Sequence, residues 1–336
     1  MPSPTRLLAL ALAAALALAA CDKAPSELPP APARSPVSTA PVSSVSAASA
    51  APAPVAPPTR LPAPARLVAI GDLHGDLVAT RAALRLAGAI DDKDHWSGGK
   101  LVIVQTGDQL DRGDGERAIL DLLDRLADEA KAAGGAVIVL DGNHEVMNVQ
   151  LDFRYVTDFG FKDFAGVPGA NAVDERLLRL PEAQRARAAA FLPGAPYAKR
   201  LARRGIVAVV GDTVFVHGGL LPKHVRYGLD RLNREVDAWM EGSARELPAI
   251  VSGEDGPIWL RRYSAAADPE DCRVLAETLA MIPAKRLVVG HTVQRDGISP
   301  ACGGQVWRID VGLSRFFGGK PEVLEIQGDA VRPIGK

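Results

Sequence analysis

Nine side chains able to ligate metals, grip anions or move protons stand just past apolar runs of this chain. Asp72 and His74 fall in Gly71-Asp-Leu-His-Gly-Asp76, and Asp108, Asp111 and Arg112 in Gly107-Asp-Gln-Leu-Asp-Arg-Gly113. Asn143 and His144 follow in Asp141-Gly-Asn-His-Glu145, then His217 in His217-Gly-Gly219 and His291 in Gly290-His-Thr292. A carboxylate two residues from an imidazole on extended chain presents both to one side, and such a mixed O/N donor set suits Mn, Fe or Zn. An aspartate such as Asp108 can bridge two metal ions, while Arg112 can fork onto a phosphate. Asn143 offers a neutral oxygen, and His144 can act as a general acid if it points at a leaving group rather than at a metal. Taken singly, each motif has a plainer explanation: a capping Asp, a structural His, a loop held by salt bridges. Taken together, four histidines with Asp72, Asp108 and Asn143 supply the seven or so ligand positions that two metals sharing one carboxylate require. His95 and His224 lack this setting and read as surface residues.

The elements that must position these groups are strands. Arg66–Ile70, Leu101–Thr106, Ala136–Leu140, the hairpin pair Ile206–Val210 and Thr213–Val216, and Arg286–Val289 are short, largely apolar runs, all but Thr213–Val216 adjoined by glycine, as in the buried strands of a parallel sheet. Helical patterns run from about Leu77 to Ala87, Glu116 to Ala133, Lys223 to Met240 and Pro269 to Met281. The strands Gln305–Ile309 and Glu322–Ile326 close an α/β domain spanning 66–336, and open α/β sheets build ligand sites at strand C-termini. Residues 146–204 break the pattern and read as a helical insertion that sets specificity. Its arginines, among them Arg154, Arg176 and Arg179, could meet an anionic substrate, although a solvated helix face accounts for most of them.

Charge excludes one partner class. Lys and Arg number 39 against 40 Asp and Glu, leaving no basic field for nucleic acid. Arg6, the apolar run Leu7–Ala20 and the terminal Leu-Ala-Ala-Cys21 describe an export signal over residues 1–20, with Cys21 as a candidate site of lipidation. Residues 21–65 hold 12 of the chain's 26 prolines and no aromatic residue, which predicts a semi-extended tether between a membrane lipid anchor and the domain. The expectation is an exported protein facing the periplasm of a Gram-negative bacterium. Cys272 and Cys302 are left as either a disulfide or two buried thiols.

The five motifs, in this order, resemble those of the phosphoprotein phosphatase family of calcineurin-like metallophosphoesterases, over most of residues 66–336. The resemblance implies an α/β/β/α sandwich with metals at strand ends. It also implies a first metal on Asp72, His74 and Asp108, and a second on Asp108, Asn143, His217 and His291. Asp111 would orient His144, and Arg112, with Asn143 beside it, would bind the substrate phosphate. Asp141 stands where eukaryotic Ser/Thr members carry an Arg, and Ser314-Arg-Phe-Phe317 replaces their Ser-Ala-Pro-Asn-Tyr signature. These departures, with the Pro257-Ile-Trp-Leu-Arg261 loop, look like the bacterial, Shewanella-like branch, which is associated with phosphotyrosine among other phosphomonoesters. Arg261 becomes the candidate for a second phosphate-binding arginine. The implied reaction is direct hydrolysis of a phosphomonoester by a hydroxide bridging two divalent ions (Mn, Fe or Zn). The alternatives are a dinucleoside polyphosphatase, a scavenging phosphoesterase, and an inactive lipid-anchored metal-binding protein.

Overall fold

The computed structural model describes residues 58–335; Cys21, the export signal and most of the expected tether lie outside them. The strands are β1 (Arg60–Leu61), β2 (Leu67–Ile70), β3 (Val102–Gln105), β4 (Ala136–Val139), β5 (Val207–Val210), β6 (Thr213–Val216), β7 (Arg286–Val289), β8 (Ser299–Ala301), β9 (Val306–Arg308), β10 (Val323–Gln327) and β11 (Ala330–Ile334). They form two mixed sheets, ordered β11-β10-β2-β3-β4 and β1-β5-β6-β7-β9-β8. β2, β3 and β4 run parallel, and so do β6, β7 and β9, so the C-terminal ends within each set point the same way.

Side-chain alternation shows how the sheets stack. Ala208 and Val210 of β5, Phe215 of β6 and Val288 of β7 share one core with β2, β3 and the helix Glu116–Ala132. Their neighbours Val207, Val209, Val214, Val216, Leu287 and Val289 belong to a second core with the helices Leu229–Met240 and Pro269–Met281. A period-two strand buried on both faces places one set against the other sheet and the next against helices. The result is the α/β/β/α sandwich.

Several boundaries differ from the sequence expectation. The fold begins before Arg66: β1 pairs in parallel with β5, the Val209 amide donates to the Thr59 carbonyl at 2.7 Å, and Thr59 is buried. Two residues of strand inside a Pro/Ala-rich stretch carry no periodicity to read. The helix expected over 223–240 is two, Pro222–Tyr227 and Leu229–Met240, broken at Gly228 with φ 103°. His224 is buried rather than at the surface, its Nδ1 accepting from the Leu221 amide at 3.0 Å, and burial lowers its pKa to about 4. Cys272 and Cys302 form a disulfide. The insertion comprises helices Asp158–Asp163, Glu182–Phe191 and Pro196–Leu201 with a 3-10 turn at Glu175–Arg179. It is no detached cap, because Phe164, Phe191, Tyr197 and Leu201 pack into the same core as β5 and β6.

One buried carboxylate lies apart from the motifs. Asp237, on the helix Leu229–Met240, has an Oδ1 without a partner, and burial followed by Glu241 pushes its pKa up to about 7. An unfolded Asp titrates near pH ~3.9, so between ~4 and ~7 the native state keeps a proton that the unfolded chain has lost, and stability falls as pH rises. Asp237→Asn removes the charge while keeping the shape. It is expected to raise stability by roughly 1–3 kcal/mol at about pH 8, and by little near pH 4, in thermal melts across that range.

Candidate metal centre

Six strand ends converge on one cavity. β2 delivers Asp72 and His74, and β3 delivers Asp108, Asp111 and Arg112. β4 runs into the helix Asn143–Val149, which starts with Asn143 and His144, while β6 and β7 deliver His217 and His291. β9 adds Asp310. A cavity of about 190 Å³ is lined by His74, Asp108, Arg112, Asn143, His144 and His291 together with Tyr155, Trp259, Arg261, Asp310 and Phe317.

The turns are held in conformations that most side chains avoid. His74, Asp108, Asp111, Arg112 and His291 all have positive φ, between 44° and 67°. Such strain persists only where the surroundings over-determine it. Glu145 supplies much of that constraint: its buried carboxylate accepts from the amides of Gly142 (2.7 Å), Asp108 (2.8 Å), Gln109 (2.9 Å) and Leu110 (3.1 Å). The Leu73 and His74 amides both donate to the Asp108 carbonyl, at 2.9 and 3.0 Å, tying the first turn to the second. Glycine is required where the carboxylates come close. A Cβ on Gly142 would lie 2.2 Å from Asp108 Oδ1, and one on Gly290 would lie 2.3 Å from Asp72 Oδ1.

The histidines divide by their partners. His74 Nδ1 donates to the Leu110 carbonyl (3.1 Å), His217 Nδ1 to the Thr106 carbonyl (3.0 Å) and His291 Nε2 to the Trp259 carbonyl (3.1 Å). Each then turns its other nitrogen inward, the arrangement by which ligating imidazoles are oriented. His217 Nε2 lies 2.9 Å from Asn143 Oδ1, 3.1 Å from His291 Nδ1 and 3.2 Å from Asp108 Oδ2. His74 Nε2 is 3.8 Å from Asp72 Oδ2 and 3.8 Å from Asp108 Oδ2. His144 differs. Its Nδ1 bonds the Asp111 carboxylate at 2.5 Å, and its Nε2 stands 3.7 Å from Asp108 Oδ2.

Two clusters of candidate ligands, His74 with Asp108 and His144, and Asp108 with His217 and His291, therefore share Asp108. Lone pairs of two imidazoles, an amide oxygen and a carboxylate converging within about 3 Å repel unless a cation or a proton lies among them, so the donor set fits divalent metals. The electrostatics match. Burial raises Asp72 well above the usual carboxylate range, and nearby Asp310 and Asp108 raise it further. Burial also acts to raise Asp108, but His217, His144 and His74 outweigh it and hold Asp108 well below its ordinary value. Burial lowers His74 to about 3, whereas for His217 the charges of Asp108 and Asp72 outweigh burial and raise it to about 9.

Arg112 sits at the mouth. Its Nη1 is 2.8 Å from His74 Nε2, and its guanidinium lies 4.8 Å from the Tyr155 ring centre, 4.9 Å from Phe317 and 5.7 Å from Phe316. Arg261 reaches the same cavity, with Nη1 donating to the His291 carbonyl (2.6 Å) and to Thr292 Oγ1 (2.9 Å). Asp141, at the position that departs from the eukaryotic pattern, is wholly buried with neither carboxylate oxygen bonded. Arg154 and Arg176 of the insertion pair with Asp152 and Asp174 two residues away, leaving no free fork for a substrate. Asp310, Glu145, Tyr155 and Arg187 escaped the sequence reading. For Asp310 a signal was present, an Asp just past the strand Val306–Arg308, much as Asp72 and Asp108 stand just past β2 and β3.

These features define a calcineurin-like metallophosphoesterase, and the chain belongs to that family, whose model (calcineurin-like phosphoesterase) matches residues 65–295. Its homologues include Shewanella-like protein phosphatase 2 of Arabidopsis thaliana, 44% identical over 303 residues covering 81% of this chain and 78% of that protein. Shewanella-like protein phosphatase 1 of Plasmodium berghei is 29% identical over 280 residues, covering 80% and 74%. Among solved structures, the cold-active protein-tyrosine phosphatase of a psychrophilic Shewanella superposes with a TM-score of 0.67 at 23% identity, over 83% of this chain and 80% of that one. That likeness is one of fold.

Proposed function

We propose that the chain is a two-metal phosphomonoesterase with a preference for aryl phosphates, phosphotyrosine among them. The arrangement of the histidines around Asp108 supports this reading: His74, His217 and His291, each held by a backbone carbonyl, turn a nitrogen inward, and His144, held by Asp111, presents Nε2 beside them as the group to protonate a leaving oxygen. Asp72, His74 and Asp108 would hold one ion, and Asp108, Asn143, His217 and His291 the other. When bound, the ions supply charge neutralisation and a water acidified toward neutral pH.

The remaining steps belong to side chains. Arg112 and Arg261, on the cavity wall, bind the phosphate oxygens and offset the charge that gathers there during in-line displacement. Asp111 holds the His144 ring by Nδ1, so Nε2 faces the cavity and passes its proton to the departing oxygen. Tyr155, Trp259 and Phe317 surround the opening with aromatic surface against which an aryl leaving group can stack. A polyphosphate chain would need a run of cations. Among the described residues, the arginines that line this cavity are Arg112 and Arg261, set beside Asp108 and Asp310, which favours a single phosphate over a polyphosphate chain.

The test is a panel of phosphotyrosyl peptide, phosphoseryl peptide, small phosphomonoesters and dinucleoside tetraphosphate, assayed with Mn added. Turnover of the phosphotyrosyl peptide is expected to exceed that of the phosphoseryl peptide by about tenfold or more, since burying an aromatic group contributes on the order of 1.5–3 kcal/mol. Faster turnover of the tetraphosphate would move the protein to the polyphosphatases. Bound metal with no turnover of any substrate would leave an inactive metal-binding protein.

A further inference from the structure

Arg187 lies in the insertion and is wholly buried, with its guanidinium 4.7 Å from the Phe164 ring centre and 4.9 Å from Phe191. Its Nη1 and Nη2 fork onto Glu116 at 2.5 and 2.8 Å, Nη1 also donates to the Gly160 carbonyl at 2.9 Å, and Nε donates to Asn148 Oδ1 at 2.8 Å. Both partners then touch Asp111. Glu116 Oε1 accepts from the Asp111 amide at 2.5 Å, and Asn148 Nδ2 donates to Asp111 Oδ1 at 3.0 Å. Asn148 Nδ2 also bonds the His144 carbonyl at 2.9 Å, and Arg187 Nη2 stands 3.5 Å from Asp111 Oδ1.

We propose that Arg187, through Asn148 and Glu116, is a positioning residue for the Asp111–His144 dyad. Asp111 adopts positive φ, and its amide is fixed by Glu116. Its Oδ1 is occupied by Asn148, so Oδ2 is the oxygen left to orient His144. A buried Arg–Glu pair that served only to join two helices would have no need of contacts to both ends of Asp111. The insertion thereby reaches the proton-transfer step from behind, while Tyr155 reaches it from the mouth. Partners behind a reacting group commonly matter by about 10- to 100-fold when removed.

The inference rests on His144 as proton donor, so His144→Asn is the reference in its test. The Mn-loaded full chain is assayed on p-nitrophenyl phosphate, whose leaving group needs no proton, and on an alkyl phosphate, whose leaving group does. Asn148→Ala and Arg187→Lys are each expected to lose about 10- to 100-fold on the alkyl ester and at most about threefold on the aryl ester, with metal content unchanged. In the His144→Asn background, Asn148→Ala is expected to cost nothing further. Equal losses on both esters, or losses that simply multiply with His144→Asn, would make the network structural only. Should Arg187→Lys fail to fold, Asn148→Ala decides alone. If His144→Asn itself showed no difference between the esters, the proton-donor reading would fall first, and that result is distinct from a failure confined to Arg187 and Asn148.

Discussion

Asp108→Asn is expected to remove metal and turnover together. The carboxylate is the group common to both ligand clusters, with Oδ2 3.2 Å from His217 Nε2 on one side and 3.8 Å from His74 Nε2 on the other. An amide of the same shape keeps one oxygen but loses the charge and the second lone-pair face, so it cannot bridge two cations. The local fold should survive. Asp108 is held by its backbone, its amide donating to Glu145 and its carbonyl accepting from Leu73 and His74, and the Asn oxygen can still accept from the His144 amide as Oδ1 does now at 3.0 Å. Changes one shell away from metals cost about 10- to 100-fold, so loss of a shared ligand is expected to cost at least ~1,000-fold in kcat/KM, with bound metal falling from about two equivalents to one or none. Elemental analysis of dialysed protein beside the rate on an activated phosphomonoester checks both. Two retained equivalents would remove Asp108 from the bridging position, and retained turnover would end the two-metal reading.

The candidate ligands were legible because each stands within four residues of the end of a buried strand and next to glycine, where a polar residue stands out after an apolar run. The helices Leu77–Leu86, Glu116–Ala132 and Pro269–Met281 were legible for the related reason that their apolar period and end signals agree. What escaped were features created by tertiary contact. Glu145 reads as the tail of a motif, yet its four backbone donors belong to two separate turns. Arg187 reads as one arginine in an Arg/Ala-rich helix, and its burial is decided by Glu116, 71 positions earlier. β11 has Pro333 within it and one face open to solvent, which is tolerated only because it is an edge strand. Its hairpin turn, Gly328-Asp329, was nevertheless a usable signal. His224 misled because a histidine beside lysine on a polar helix resembles a surface residue, while the ring in fact closes the start of its own helix.

His144→Asn should have the opposite signature to Asp108→Asn. His144 is next in sequence to the proposed ligand Asn143, and its Nε2 lies within 4 Å of Asp108, so proximity alone would place it among the ligands. Its partner suits a proton donor and a ligand alike: Nδ1 is held by Asp111 at 2.5 Å, and Asp111 is itself fixed by Asn148 and, through its amide, by Glu116, so the metal content of the variant separates the two roles. Burial lowers the imidazole pKa, but Asp108 and Asp111 outweigh it and the net shift is upward. Asn at this position can keep the bond to Asp111 but has no proton to give at the pKa of a leaving alcohol. Metal content is therefore expected to stay near two equivalents. The rate on an alkyl phosphate should fall by roughly a hundred- to ten-thousand-fold, the usual range for a positioned acid, and the rate on p-nitrophenyl phosphate by far less. The measurement is kcat on both esters with elemental analysis of the same preparation. Metal loss in the variant would make His144 a ligand, and equal losses on the two esters would leave Asp111 and His144 with a structural task.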